Sequence, residues 1–260
     1  MDRNKFGAQI PRLLLALLVL MSPPYVLEAQ FGPLLSPAQA PQARSQEELD
    51  AYLEVTTATE SQEVIKEVDR FASQFPKSEL LGVAYQHQMG AYRNLNDFEG
   101  MLSAGEKALR INPDNLNTLL TLAPAIANHA GADAVGIRLL GRAEECAHRA
   151  LEGIEKTQVP HKIPPEHWER QKQEMQSEAH EVLGIVALKR GQSKTAVEEL
   201  QTAVHLSPQA QGSQFLGLGM AYALAGAKED ARKALRRSAG LGPDPVRKLA
   251  LNELDKLTTR

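Results

Sequence analysis

A single cysteine, Cys146, stands in 260 residues, which excludes an intrachain disulfide framework and any multi-cysteine zinc site. Aromatic side chains are scarce (Phe 6, Tyr 5, Trp 1). That shortage disfavours a β-sandwich or barrel, whose strands draw on aromatic and β-branched residues. An excess of one charge is also missing: 29 basic and 32 acidic groups leave −3, too little for a uniformly basic nucleic-acid binder. No glycine-rich phosphate loop, nucleophile elbow or His-Glu-x-x-His zinc motif occurs. Ala and Leu, by contrast, abound, and both lose little side-chain freedom in a helix.

The amino terminus has the order of an export signal. Arg3, Lys5 and Arg12 precede the apolar run Leu13 to Met21, followed by Pro23-Pro24 and Val26-Leu27-Glu28-Ala29. As a helix, this run of nine spans about 13 Å, against roughly 30 Å of bilayer hydrocarbon, so a cleaved signal is the reading rather than a span. Cleavage is expected after Ala29. Ala38-Gln39-Ala40 offers smaller residues, but Pro41 directly after it should block the cut. Residues 1–29 are therefore read as a signal peptide, and 30–44, rich in Pro, Ala and Gln, as a flexible tether. The exported chain would have 231 residues and a net charge of −4.

From Ser45 to the end, the pattern is helical. Ser45 and Glu48 form a predicted capping box. Apolar residues then recur every three or four positions. Breaks fall at Ser61, Pro76-Lys77-Ser78, Asn94 to Asn96, Asn112-Pro113-Asp114, Gly131, Gly191, Ser207-Pro208, Gly226 and Gly242-Pro243. No stretch alternates long enough for a strand. The domain 45–260 is predicted all-α.

The breaks repeat. Leu183-Gly184, Ala187, Gly191, Ala196, Leu200, Ala203 and Pro208 in 177–208 recur in 212–243. There they are Leu218-Gly219, Tyr222, Gly226, Ala231, Leu235, Ser238 and Pro243, each 35 residues later. In this order the residues resemble the tetratricopeptide repeat (TPR) family. A third unit at 82–113 shares Tyr85, Tyr92, Phe98, Ala108-Leu109 and Pro113, but carries Met89, Met101 and Gly105 where Gly, Ala and a large residue are usual. Residues 46–76 read as a further helix pair. Its close at Phe71, Phe75-Pro76 and Ser78 is similar to that of TPR units in bacterial envelope assembly proteins. A degenerate pair follows at 115–130 and 132–157, with Pro124 kinking the first helix. A closing helix at 244–258 is amphipathic through Val246, Leu249, Leu251 and Leu254. Helices of about 25 residues on either side of 158–165 predict a hairpin, within 132–190, whose tip projects beyond the stack. The resemblance thus implies a TPR-like α-solenoid of antiparallel helix pairs with a carboxyl-terminal capping helix.

Catalytic chemistry finds little support. His161, Glu166 and His167 cluster in sequence, but Pro164-Pro165 gives them no defined ligand geometry. Cys146 reads as a half-buried filler rather than a nucleophile, and His180 and His205 lack a partner pattern. No enzyme activity, metal or cofactor is expected. In the TPR family the first helix of each unit lines a concave groove. Carried over, the groove residues are Gln86, Arg93 and Asn94, then Glu181, Ile185 and Lys189, then Leu216, Met220 and Leu224. The positions that form a carboxylate clamp in chaperone-binding members hold Gln86, Gly90, Glu181, Ile185, Leu216 and Met220, so that clamp is absent. A mixed wall, apolar toward the carboxyl end, suits a helix or extended peptide with apolar anchors.

Charge is uneven: 45–120 sums to −7 and 227–260 to +4. Arg232, Lys233, Arg236 and Arg237 form a basic patch at i,i+4 spacing, suited to an anionic membrane or wall polymer. Aromatic interleaving is missing, so a nucleic-acid partner is not expected. The reading is an exported, non-enzymatic scaffold, periplasmic or envelope-associated, that binds a protein or peptide. The alternative is an envelope assembly factor acting through its basic end, with membrane contact secondary.

Overall fold

The computed structural model describes residues 41–157 and 164–258; the signal, most of the tether and the hairpin loop with His161 lie outside them. The described residues form eleven α-helices and no strand. They are α1 (Gln46–Thr57), α2 (Ser61–Gln74), α3 (Leu81–Asn94), α4 (Phe98–Ile111), α5 (Leu116–His129), α6 (Ala134–Lys156), α7 (Pro165–Lys189), α8 (Ser193–Leu206), α9 (Gly212–Leu224), α10 (Lys228–Leu241) and α11 (Asp244–Thr258). Each odd helix packs on the even helix that follows it, and each even helix on the next odd one. The result is a TPR-like α-solenoid of five helix pairs and a last single helix, with every break predicted from sequence falling at a helix boundary or between helices.

Local chemistry sets the ends. Ser45, Asp97, Asn115 and Asp133 each accept a hydrogen bond from a backbone N–H three residues on, a cap contributing about 1 kcal/mol. The Ser45 box is only half closed: Glu48 accepts from the Arg44 backbone N–H rather than from that of Ser45. Arg44, assigned to the tether, also pairs with Glu79 ahead of α3. Between the first and second helices of three units the chain turns through a left-handed residue: Asn96 (φ 56°), Gly191 (φ 72°) and Gly226 (φ 77°). These three positions are equivalent in the repeat, and the residue after each donates to the same helix carbonyl, of Tyr92, Ala187 and Tyr222 respectively. The unit at 82–113 is therefore in register, with Asn standing in for Gly as only a short polar side chain tolerates.

Packing keeps contacts between repeats while exchanging the residues that make them. A methyl on Gly184 would lie 2.4 Å from Leu200, and one on Gly219 2.6 Å from Leu235, so glycine is required for the helices to approach there. Leu200 also reaches Gly217 of the next unit, 3.2 Å from where a Cβ would stand. Upstream, the equivalent of the Leu200–Gly217 contact is Gly105 against Leu122, with large and small side chains swapped. This explains the departure at Gly105: volume missing from α4 is supplied by α5. A second contact is swapped in the same way. Ser177 donates from the middle of α7 to the Ala203 carbonyl, whereas Ser238 donates from the end of α10 to the Gly212 carbonyl at the start of α9, both at 2.8 Å.

Three expectations need correction. Leu249 (53 % exposed) and Leu251 (49 %) are left uncovered, and α11 instead packs through Ala250, with Val246, Leu254 and Leu257 half-buried on the same face. The hairpin overhang is one-sided. The first twelve residues of α7, about 18 Å of helix, run past the end of α8 but stay packed on α6, and Trp168 and Met175 are buried there. Gly153 near the end of α6 still meets Leu116 of α5. Finally, Cys146 is fully rather than half buried. Pro124 lies within a helix that runs on past it to His129.

The stack is not uniform. Along the odd helices, α1 packs on α3, α5 on α7, α7 on α9 and α9 on α11, while α3 and α5 make at most a point contact. The first two pairs therefore join the rest through α4 against α5, helped by Arg142 of α6, whose guanidinium bridges both carboxylate oxygens of Glu106 at 2.8 and 3.0 Å.

Candidate functional site

The odd helices carry the residues assigned to the groove from sequence, and the 35-residue register sets those positions in rows. Glu181, Leu216 and Leu251 share one row across α7, α9 and α11; Ile185 and Met220 share the next, and Lys189 and Leu224 a third. Leu216 and Ile185 are half-buried, whereas Met220 and Leu224 are 40 % and 48 % exposed, one helical turn apart. Leu251, missing from the groove reading, extends this apolar strip onto α11. The 35-residue offset between it and Leu216 was the available signal. In the front unit Gln86 is half-buried, Arg93 and Asn94 are exposed, and nothing lies within 4 Å of the side-chain direction of Gly90.

Lys189 is occupied: its ammonium donates to the carbonyls of Asn128 and Ala130 at 3.1 and 2.8 Å, where α5 ends. Cations suit that end because the last helix carbonyls lack partners. Lys172 of the same helix is likewise taken, by Glu155. Glu174, Glu178 and Glu181, at i, i+4 and i+7, make no ion pair among the described residues. Burial pushes the Glu181 carboxyl up, against an opposing hydrogen bond from Gln214, and Glu178 adds to the rise. Burial likewise raises Glu178, reinforced by Glu174. Gln214 is itself buried and held by Ser177, to which it donates at 2.9 Å. The α7 stripe thus runs from carboxylates to Ile185, beside the apolar strip of α9.

The basic patch is spread by the fold. Arg232 pairs with Glu229 and reaches the Leu257 carbonyl, and Lys233 pairs with Asp230. Arg237 lies over the Phe215 ring at 4.4 Å, a cation–π contact. Of the four, Arg236 alone has no ion-pair or ring partner among the described residues. Arg247, nearby in sequence, pairs with Asp244.

Other reactive groups are placed as follows. The Cys146 thiol is pushed up to about 11 by burial, which outweighs the nearby Arg142. His180, for which no partner was foreseen, lies 2.7 Å from Glu199 through Nδ1. Glu166 and His167 are exposed in the first turn of α7. Among the described residues no group of three His, Cys, Asp or Glu side chains is placed to hold a metal ion, and no helix is long and apolar enough to cross a membrane.

Comparison with known proteins places the fold. No family model and no curated protein matches the sequence. Solved structures do match. An assembly chaperone of RpL4 (Acl4) aligns over 82 % of this chain and 84 % of its own, at 14 % identity and a TM-score of 0.59. PilW, a type IV pilus biogenesis factor, aligns over 82 % and 91 %, at 16 % identity and 0.52. A thermophilic TPR protein of Thermus thermophilus, TTC0263, aligns over 80 % and 98 %, at 15 % identity and 0.50. At these identities the likeness establishes the TPR-like fold.

Proposed function

We propose that the chain is an exported, non-enzymatic scaffold of the cell envelope that binds a protein or peptide in the groove lined by α7, α9 and α11. The observation that carries this reading is the pair Met220 and Leu224. Both are large and apolar and stand exposed on the inner face of a helix that packs its other sides. Such a strip gains by about 25 cal/mol per Å² when a partner covers it. Protein assembly is the business named for two fold neighbours, a chaperone and a pilus biogenesis factor. The signal-like residues 1–29 support export, and with it the envelope reading. The membrane alternative rests chiefly on Arg236 and Lys248, because Arg232, Lys233 and Arg247 are already ion-paired.

The test is Met220→Ser combined with Leu224→Ser. The variant is expected to keep the helicity of the parent and lose the protein captured by the parent from the native envelope fraction. Unchanged capture would sink the groove reading. Retention by anionic vesicles, lost on reversing Arg236 and Lys248, would support the alternative. The amino-terminal residue of the exported chain is expected to be Gln30.

A further inference from the structure

The chemistry of the partner is written on the same wall, and this step rests on the groove reading above. We infer that the groove takes a cationic amphipathic segment of another protein, with apolar side chains on Ile185, Met220, Leu224 and Leu251 and a lysine or arginine facing Glu178 and Glu181.

Three observations carry it. Glu174, Glu178 and Glu181 lie on one stripe of α7, which continues into Ile185 one turn on. Carboxylates of the even helices are ion-paired: Glu106 and Glu145 with Arg142, Glu144 with Arg190, Glu155 with Lys172, Glu229 with Arg232 and Asp230 with Lys233. The three carboxylates of α7 are left out: of the cations on their own helix, Lys172 is taken by Glu155 and Lys189 is held by α5, while Arg170, one turn before Glu174, lies at the far end of the stripe from Glu181. Like charges at this spacing repel each other, so they carry a cost that an incoming cation removes. The apolar strip is adjacent: Leu216 is the register equivalent of Glu181 on the neighbouring helix, and Gln214 of that helix reaches the Glu181 carboxyl. A segment lying across α7 and α9 therefore meets acid on one side and hydrocarbon on the other. Charge complementarity of this kind selects partners and speeds encounter.

The experiment is a titration of the exported chain with a fluorescein-labelled helical peptide of leucine and lysine at three- and four-residue spacing. A twin carrying glutamate for lysine serves as comparison. The lysine peptide is expected to bind and the glutamate twin to bind at least roughly tenfold more weakly. Glu178→Gln with Glu181→Gln should weaken the lysine peptide by a similar factor and erase the preference, and Met220→Ser with Leu224→Ser should abolish binding. Circular dichroism checks that each variant keeps its helices. Failure of the lysine peptide to bind, equal binding of the twin, or indifference to the glutamine pair overturns the inference. If the serine pair still matters in those cases, the groove reading survives; if the serine pair binds like the parent, that reading falls as well. A concentration-dependent dimer dissolved by the serine pair would assign the wall to a second copy, and would also overturn the inference.

Discussion

Glu181, one of the carboxylates assigned to the proposed groove, is held at a cost to stability. Its carboxyl is raised by burial and by Glu178, so the ionised form is disfavoured in the folded state. A carboxyl whose folded pKa exceeds the unfolded one destabilises the protein at neutral pH. That penalty is relieved as pH falls through the raised value and is gone below the unfolded value of about 4.5. Glu181→Gln is therefore expected to raise Tm at pH 7.5, with the gain fading by pH 4; a lower Tm at pH 7.5 would contradict the placement. Cys146 makes an independent check on burial. With its thiol pushed up to about 11 and no exposed surface, it should react with Ellman's reagent at pH 8 only after denaturant is added. Rapid labelling of the native protein would show that α6 is not packed as described.

At the scale of the helix pair, Leu200 and the two serine contacts hold neighbouring elements together. Leu200→Ala is expected to cost about 3–5 kcal/mol in urea unfolding, because Leu200 is fully buried between Gly184 and Gly217. Ser177→Ala should cost more than Ser238→Ala, about 2 against about 1 kcal/mol. Ser177 both donates to Ala203 and accepts from Gln214, whereas Ser238 makes only the bond to Gly212. Equal costs would mean that the Gln214 contact adds nothing. These contacts also show what was legible beforehand. Breaks and helix pairs could be read because Gly, Pro and Asn act locally on the backbone. The register at 82–113 was harder, since Gly105 makes sense only once Leu122 is known to cover it from the next unit. The stripe of Glu174, Glu178 and Glu181 was half seen, as Glu181 alone. That Lys189 is occupied depends on its reaching α5, some 60 residues away in the chain. The exposure of Leu249 and Leu251 was not legible, because an apolar residue on a last helix does not itself say which face is covered.

The described helices form a one-dimensional stack, whose stability is a sum of units and junctions. The junction between α4 and α5 lacks the packing that joins the other odd helices, so the front two pairs and the remaining helices should open as separate units. Hydrogen exchange is expected to show residues 45–111 and 116–258 as two blocks, with Arg142→Ala uncoupling them further; one block throughout would contradict this. At the far end α11 continues the register of α9. It carries Glu253 and Lys256 where α9 buries Leu218 and Ala221, and so presents polar groups to solvent where a further helix would dock. The exposed strip of Met220 and Leu224 beside the α7 carboxylates is where the proposed partner would sit. The most direct measurement is photo-crosslinking in the native cell, from a photoreactive residue at position 220 on the inner wall and another at position 198 on exposed α8. Adducts to a partner protein at a cation-bearing segment from 220, and none from 198, are the predicted result. Equal adducts from both positions, or none from 220, would contradict the account.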